Sequence, residues 1–172
     1  MRPLDPRPRR YYPGMVDLER VEGSRERFVP LLLEADELEA VVRAYFEQGN
    51  MYAIVSDGVE VGVVLTISDR EDLEIKNIAL APEYRGQGIG TAVLTLVVGL
   101  ARDTGASRLI VGTADSSPGT IRFYKRNGFR RYGVREGFFD AYPEPIWENG
   151  VRARDMIMLA MDTVDAISGG LT

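Results

Sequence analysis

The chain has 172 residues, a length that suits one domain with a sizeable core and excludes a long repeat array or a two-domain enzyme. Its formal charge of −5, from 26 acidic and 21 basic residues, gives no global attraction for nucleic acid or an anionic membrane, although the arginines leave room for a local basic patch. Cysteine and histidine are both absent, which excludes disulfides, a cysteine nucleophile and the commonest general base, so proton transfer falls to carboxylates, tyrosines, water or backbone.

Residues 1–14 mix proline and arginine with almost nothing to bury, and read as a flexible tail. The start lacks the apolar core of a signal peptide, and no later run approaches the roughly 18 apolar residues of a membrane helix, so a cytoplasmic location with no membrane partner is expected. A strand is predicted at 15–21, then a helical stretch at 25–33 and a helix at 35–48. That helix carries one apolar stripe of Leu38, Val41, Val42, Tyr45 and Phe46, and Gly49-Asn50 suits its left-handed cap. Three antiparallel strands follow at 52–56, 60–67 and 74–80, with turns at Asp57-Gly58 and Ser68-Asp69-Arg70.

The helix expected from Gly90 to about Asp103 is apolar nearly all round, as a helix buried against a sheet must be, and Gly105 caps it. A strand at 108–113 comes next. Ser117-Pro118 starts a helix that Asn127-Gly128 stops, and strands at 129–134 and 154–160 close the domain. The domain therefore spans 15–160, with a second flexible tail at 161–172. Between the last two strands, residues 135–151 are rich in aromatics and form a candidate functional wall. The order of elements argues for a mixed α/β sandwich.

One stretch carries chemistry. In residues 77–90 an apolar strand enters the turn Arg85-Gly86-Gln87-Gly88-Ile89-Gly90, which opens the long apolar helix. Glycines let backbone amides approach an anion closely, and the helix adds the positive end of its dipole, so the turn can grip a phosphate. No lysine stands where a Walker loop needs one, and the spacing Gly86-x-Gly88-x-Gly90 is not that of a dinucleotide fingerprint. A tight turn that merely lets the helix pack is the alternative.

Arg85, Gly88 and Gly90 meet a signature of Arg or Gln, two residues, Gly, one residue, then Gly or Ala. In this the stretch resembles the acetyl-coenzyme A loop of the GNAT N-acetyltransferase superfamily. A second segment, 115–129, resembles the other half of that signature, with Tyr124, Lys125 and Gly128-Phe129 on the family's positions. The resemblance covers roughly residues 15–160. It implies the GNAT fold, an α/β architecture with a mixed, mostly antiparallel central sheet whose fourth and fifth strands splay between flanking helices.

The resemblance also implies acetyl-coenzyme A as cosubstrate. Backbone groups of Ile78, Ala79 and Leu80 would hold the pantetheine arm, and Arg85, Gly86, Gln87, Gly88, Ile89 and Gly90 the pyrophosphate. Tyr124 would be the general acid that protonates the leaving thiolate. Ser117 stands where the family usually has asparagine on the pantetheine arm, and helix capping is an equal role for it. Some relatives place a glutamate base on the strand at 108–113, but the corresponding residue here is about Gly112, so Glu74 becomes the first candidate for the base. An exposed edge glutamate is the competing description of Glu74.

Asp140, Glu144 and Glu148 lie among Phe138, Phe139, Tyr142 and Trp147. They suit either a cationic amine or a loop that its aromatics pin to the core. The function implied is direct acetyl transfer, within a ternary complex, to a primary amine of a peptide or small molecule. The rival is a non-catalytic acyl-coenzyme A-binding regulatory module. Apolar strand edges leave room for a homodimer.

Overall fold

The computed structural model describes residues 14–164; the tail expected at 1–14, save Gly14, and the part of the second tail from 165 lie outside it. The elements are β1 (Val16–Arg20), α1 (Val29–Ala35), α2 (Glu39–Tyr45), β2 (Asn50–Ser56), β3 (Val59–Asp69), β4 (Asp72–Leu80), α3 (Ile89–Asp103), β5 (Arg108–Ala114), α4 (Pro118–Arg126), β6 (Arg130–Arg135), β7 (Trp147–Glu148), β8 (Val151–Arg152) and β9 (Met156–Asp162). Among the described residues seven strands form one sheet in the order β1-β2-β3-β4-β5-β9-β6, in which β4 and β5 run parallel and the other neighbours antiparallel. This is the α/β fold with a mixed, mostly antiparallel sheet that the motifs imply.

Two helical layers cover the sheet. On one face α3 buries Val93, Leu94 and Val97 with Tyr124 of α4 against Leu73, Ile75, Leu109 and Leu159. On the other face Phe28, Leu32, Val42, Tyr45 and Phe46 pack on Met51, Val63, Leu65 and Ala79. Asp57 and Gly58 both take positive φ, which makes the two-residue turn that joins β2 to β3.

Several boundaries differ from the sequence reading. The helix expected at 35–48 is shorter, because α1 runs to Ala35 and Asp36 and Leu38 are both extended. The Asp36 carboxylate accepts the Leu38 N–H, a local bond that competes with helix continuation. The tail expected from 161 begins too early. β9 pairs through Asp162 with Arg108, and buried Thr163 donates its hydroxyl to the Ala106 carbonyl at 2.7 Å. The aromatic segment 135–151 contains a short 3-10 turn at Phe138–Ala141 and contributes to the β7–β8 hairpin.

The feature that positions the site is a bulge in β4. Leu65 of β3 pairs with Asn77, but the next residue, Thr66, pairs with Ile75, so Lys76 is extra. One extra residue flips the alternation of side chains and bends the strand. Before the bulge Leu73 and Ile75 join the α3 core; after it Asn77 bonds to the α1 and α2 layer and Ala79 packs there. The parallel ladder between β4 and β5 stops at the same point, with its last pair at Ile75 and Val111. Beyond it β5 continues through Gly112, Thr113 and Ala114 on β9 alone. The two strands therefore diverge from Lys76 onward, while at the base the Arg108 guanidinium clamps both Asp72 oxygens, at 2.9 and 2.7 Å.

Candidate active site

The glycine turn stands at the open end of the divergence. After β4, a 3-10 turn at Pro82–Tyr84 leads to Arg85, whose Nε donates to the Leu80 carbonyl at 3.0 Å and whose terminal nitrogen pairs with Glu34 of α1 at 3.0 Å. The Arg85 side chain thus ties the turn to β4 and α1. Gly86 and Gly88 have φ of 70° and 84°, and Gly88 is the N-cap of α3; both conformations favour glycine.

The amides of Gly88, Ile89 and Gly90 donate to no acceptor among the described residues, as the first turn of a helix dictates. Gly90 answers to packing as well, since a Cβ there would sit 3.1 Å from the Phe123 ring of α4. Gln87 bonds back to the Glu83 carbonyl at 2.7 Å. The structure therefore brings the turn from Arg85 to Gly90 and the Ile78–Leu80 end of β4 to one side of the divergence.

Tyr124 is buried in the α3 core between Phe123 and Phe129, with ring centroids 5.2 and 5.3 Å away in edge-on contacts. Burial raises the pKa of its phenol, which keeps it protonated, the state a general acid requires. Ser117 is the N-cap residue of α4, yet its hydroxyl does not cap the helix; it donates to the Glu148 carboxylate, which also receives the Ser116 hydroxyl at 3.5 Å. At Gly112 a Cβ would run into the side chains of Met156 and Met158. A glutamate there is thus opposed by the packing of β9.

On the face covered by α1 and α2, Glu74 lines an open groove of 450 Å³ with Val41, Ala44, Tyr45, Asp69 and Lys76. It sits in the paired part of β4, opposite Ile110. Nearby lies a cluster that the sequence reading left out of the site. Asn77 donates to the Leu32 carbonyl at 3.0 Å and to the Tyr45 hydroxyl at 2.8 Å, and that hydroxyl lies 3.4 Å from Asp36 Oδ2.

Burial raises the Asp36 pKa, against the opposing Leu38 N–H, Tyr45 hydroxyl and Lys76 charge. Burial also raises Tyr45, an effect its bond from Asn77 opposes and the Asp36 charge reinforces. Tyr142, from the aromatic wall, is pushed up to about 12 by burial and then by Asp36. The wall is pinned by its own small core, in which Phe139, Ile146 and Ala153 bury against Ala114 at the end of β5, with Phe138 and Tyr142 stacked on it. Asp140 is paired with Arg152 at 3.3 Å. Tyr45 had a signal in the sequence only as part of an apolar stripe, and Asp36 and Asn77 had none, because the contacts that join them span up to 45 residues.

A sheet splayed in front of a glycine-rich helix N-terminus is a frame that fits a coenzyme A-dependent acyltransferase. The model of the acetyltransferase (GNAT) family matches residues 16–129. An uncharacterized N-acetyltransferase of Bacillus subtilis strain 168, YvbK, is 31% identical over 147 residues, covering 84% of this chain and 95% of its own. A GNAT family acetyltransferase from Elizabethkingia anophelis, solved with acetyl-coenzyme A bound, is 36% identical with a TM-score of 0.80, over 86% of this chain and 97% of that one. A Bacillus subtilis acetyltransferase solved in complex with coenzyme A is 31% identical with a TM-score of 0.79, over 86% and 99%. The chain belongs to the acetyltransferase (GNAT) family. Acetyl-coenzyme A is the cosubstrate of that family. Among the described residues no helix is long and apolar enough to cross a membrane.

Proposed function

We propose that this chain transfers the acetyl group of acetyl-coenzyme A directly to a primary amine of a small molecule or peptide. The observation that carries the proposal is the divergence of β4 and β5 in front of the α3 N-terminus. Amides without an acceptor at Gly88, Ile89 and Gly90 fit a pyrophosphate, and the open space beside Gly86 allows its close approach. The edge of β4 from Lys76 to Leu80, unpaired toward β5, fits the amide-bearing pantetheine arm as a further strand would. Backbone donors on that edge would stabilise negative charge developing on the thioester oxygen.

Holding both substrates in one cleft lowers the entropic part of the barrier. The protonated Tyr124 phenol supports a role in delivering a proton to the leaving sulfur. With no cysteine in the chain, direct transfer is favoured over an acyl-enzyme. The test is coenzyme A release from acetyl-coenzyme A by the purified protein across a panel of alkylamines, polyamines, aminoglycosides, amino acids and peptides. Release that depends on one class of amine supports the proposal. Tight cosubstrate binding without release on any of them would instead support a binding module.

A further inference from the structure

We propose that Asp36, joined through the Tyr45 hydroxyl to Asn77 where β4 leaves β5, binds the ammonium group of the acceptor and takes its proton. The proposal rests on the amine-acetyltransferase reading above. It starts from where three segments of the chain meet. Asn77 is the first residue after the β4 bulge, Tyr45 closes α2, and Asp36 lies in the linker between α1 and α2. Tyr142 of the aromatic wall comes close enough to act electrostatically on both Asp36 and Tyr45. The meeting point is on the face opposite α3 and α4, so an amine entering there would approach the divergence from the side away from Tyr124.

Burial and the bond from the Tyr45 hydroxyl set Asp36 apart from Glu74 and Asp69, the other acids of this face that are unpaired among the described residues. Glu34 of α1 is paired with Arg85, and Asp140 of the wall with Arg152. Asp36 has no ion-pair partner among the described residues. Lys76, the cation that acts on it electrostatically, lies with its Nζ 5.3 Å from the centre of the Tyr45 ring instead. Asn77 Oδ1 is also buried without a hydrogen-bond partner among the described residues. A partly buried carboxylate and two tyrosine rings, held in place through Asn77, form a site whose chemistry is that of an ammonium receptor. Burial raises the Asp36 carboxyl above its ordinary value, a direction that makes its carboxylate a better proton acceptor. The groups that face it are Tyr45 from α2, Lys76 from β4 and Tyr142 from the wall, with Glu74 and Asp69 lining the adjoining groove.

The proton balance closes. Asp36 accepts one proton from the ammonium, whose nitrogen then has a lone pair to form the C–N bond as the C–S bond breaks. Tyr124 gives its phenol proton to the departing sulfur, and the second proton lost by the nitrogen restores the phenol through water. The proton on Asp36 leaves to solvent, so one proton is released for each amide formed. The cluster also sets a substrate class. Asp36, Glu74 and Asp69 outnumber Lys76 around the groove and disfavour a carboxylate next to the reacting nitrogen, so the acceptor is a cationic alkylamine rather than an α-amino acid.

The test measures kcat/KM against pH for the wild type, Asp36→Asn, Asp36→Glu and Glu74→Gln, with ethylamine and with trifluoroethylamine, which is largely neutral at pH 7. Acetyl-coenzyme A affinity and thermal unfolding are followed in parallel, and the best amine of the panel replaces ethylamine if that is not accepted. Asp36→Asn is expected to lose about 10²- to 10³-fold on the ammonium substrate and far less on the neutral one. It should shift the acidic limb of the profile and keep cosubstrate affinity, and Asp36→Glu should recover part of the rate. An Asp36→Asn enzyme within about threefold of wild type with the same limb, or a limb that moves in Glu74→Gln instead, overturns the assignment. Absence of turnover by the wild type on every amine overturns the reading beneath it.

Discussion

Removing the Tyr124 hydroxyl separates what this residue does for the core from what it does for the reaction. The ring carries the packing: it meets Phe123 and Phe129 edge-on at 5.2 and 5.3 Å and is buried. Tyr124→Phe keeps that ring, and the hydroxyl makes no hydrogen bond among the described residues. Stability should thus change by no more than about 0.5 kcal/mol, or roughly 2 °C in Tm for a chain of this size. Tyr124→Ala, by contrast, removes the ring and should cost about 3–5 kcal/mol.

If the phenol is the proton donor, Tyr124→Phe should lose about 10²- to 10⁴-fold in rate, equivalent to about 3–5 kcal/mol of barrier at 1.36 kcal/mol per tenfold. The assay is single-turnover coenzyme A release with saturating amine, beside a thermal melt and a cosubstrate titration. A variant with unchanged Tm, unchanged cosubstrate affinity and full single-turnover rate would refute the acid role. Loss of rate together with a large drop in Tm would show that the hydroxyl had a structural partner.

Gly88→Ala forces an L-residue into the left-handed conformation at the α3 N-cap; it should destabilise by about 1 kcal/mol and weaken coenzyme A binding about tenfold or more through misaligned amides, as calorimetric titration would measure. Unchanged affinity would mean that these amides do not hold the cosubstrate. Asp36→Asn has a stability effect whose sign follows from the raised native pKa of Asp36. The stabilisation from the neutral acid is complete below the unfolded pKa and lost as pH rises through the native one. The asparagine variant should therefore melt no lower than wild type at about pH 8, with the gap closing as pH falls toward about 4. A deficit that grows at high pH would mean that the charged form is the one the fold favours.

Local order made part of this site legible in the sequence. The turn from Arg85 to Gly90 announces itself because an anion cradle needs neighbouring residues: a strand end, glycines at positive φ and a helix start, all within fourteen positions. Tyr124 became a candidate for the same reason, as one position in a contiguous segment. The helix break at Asp36 was not found, because a bond from the Leu38 N–H to a carboxylate competes with a periodicity that reads straight through it. Nor was the place of β9 between β5 and β6, since strand order depends on long-range pairing that leaves no mark on either strand's own pattern.

The sequence by itself determined most of the elements, the apolar faces and the glycine turn, because each depends on propensity, periodicity or backbone freedom within a short window. Only the tertiary structure decided where β4 leaves β5 and which acid is joined to Asn77 there. One extra residue at Lys76 reverses the faces of β4 and ends its ladder with β5. That reversal turns Asn77 toward Leu32 and Tyr45, and through Tyr45 toward Asp36. A bulge exists only in the register between two strands, and burial of a carboxyl only in the packing of distant segments, so neither can be read from one stretch of chain.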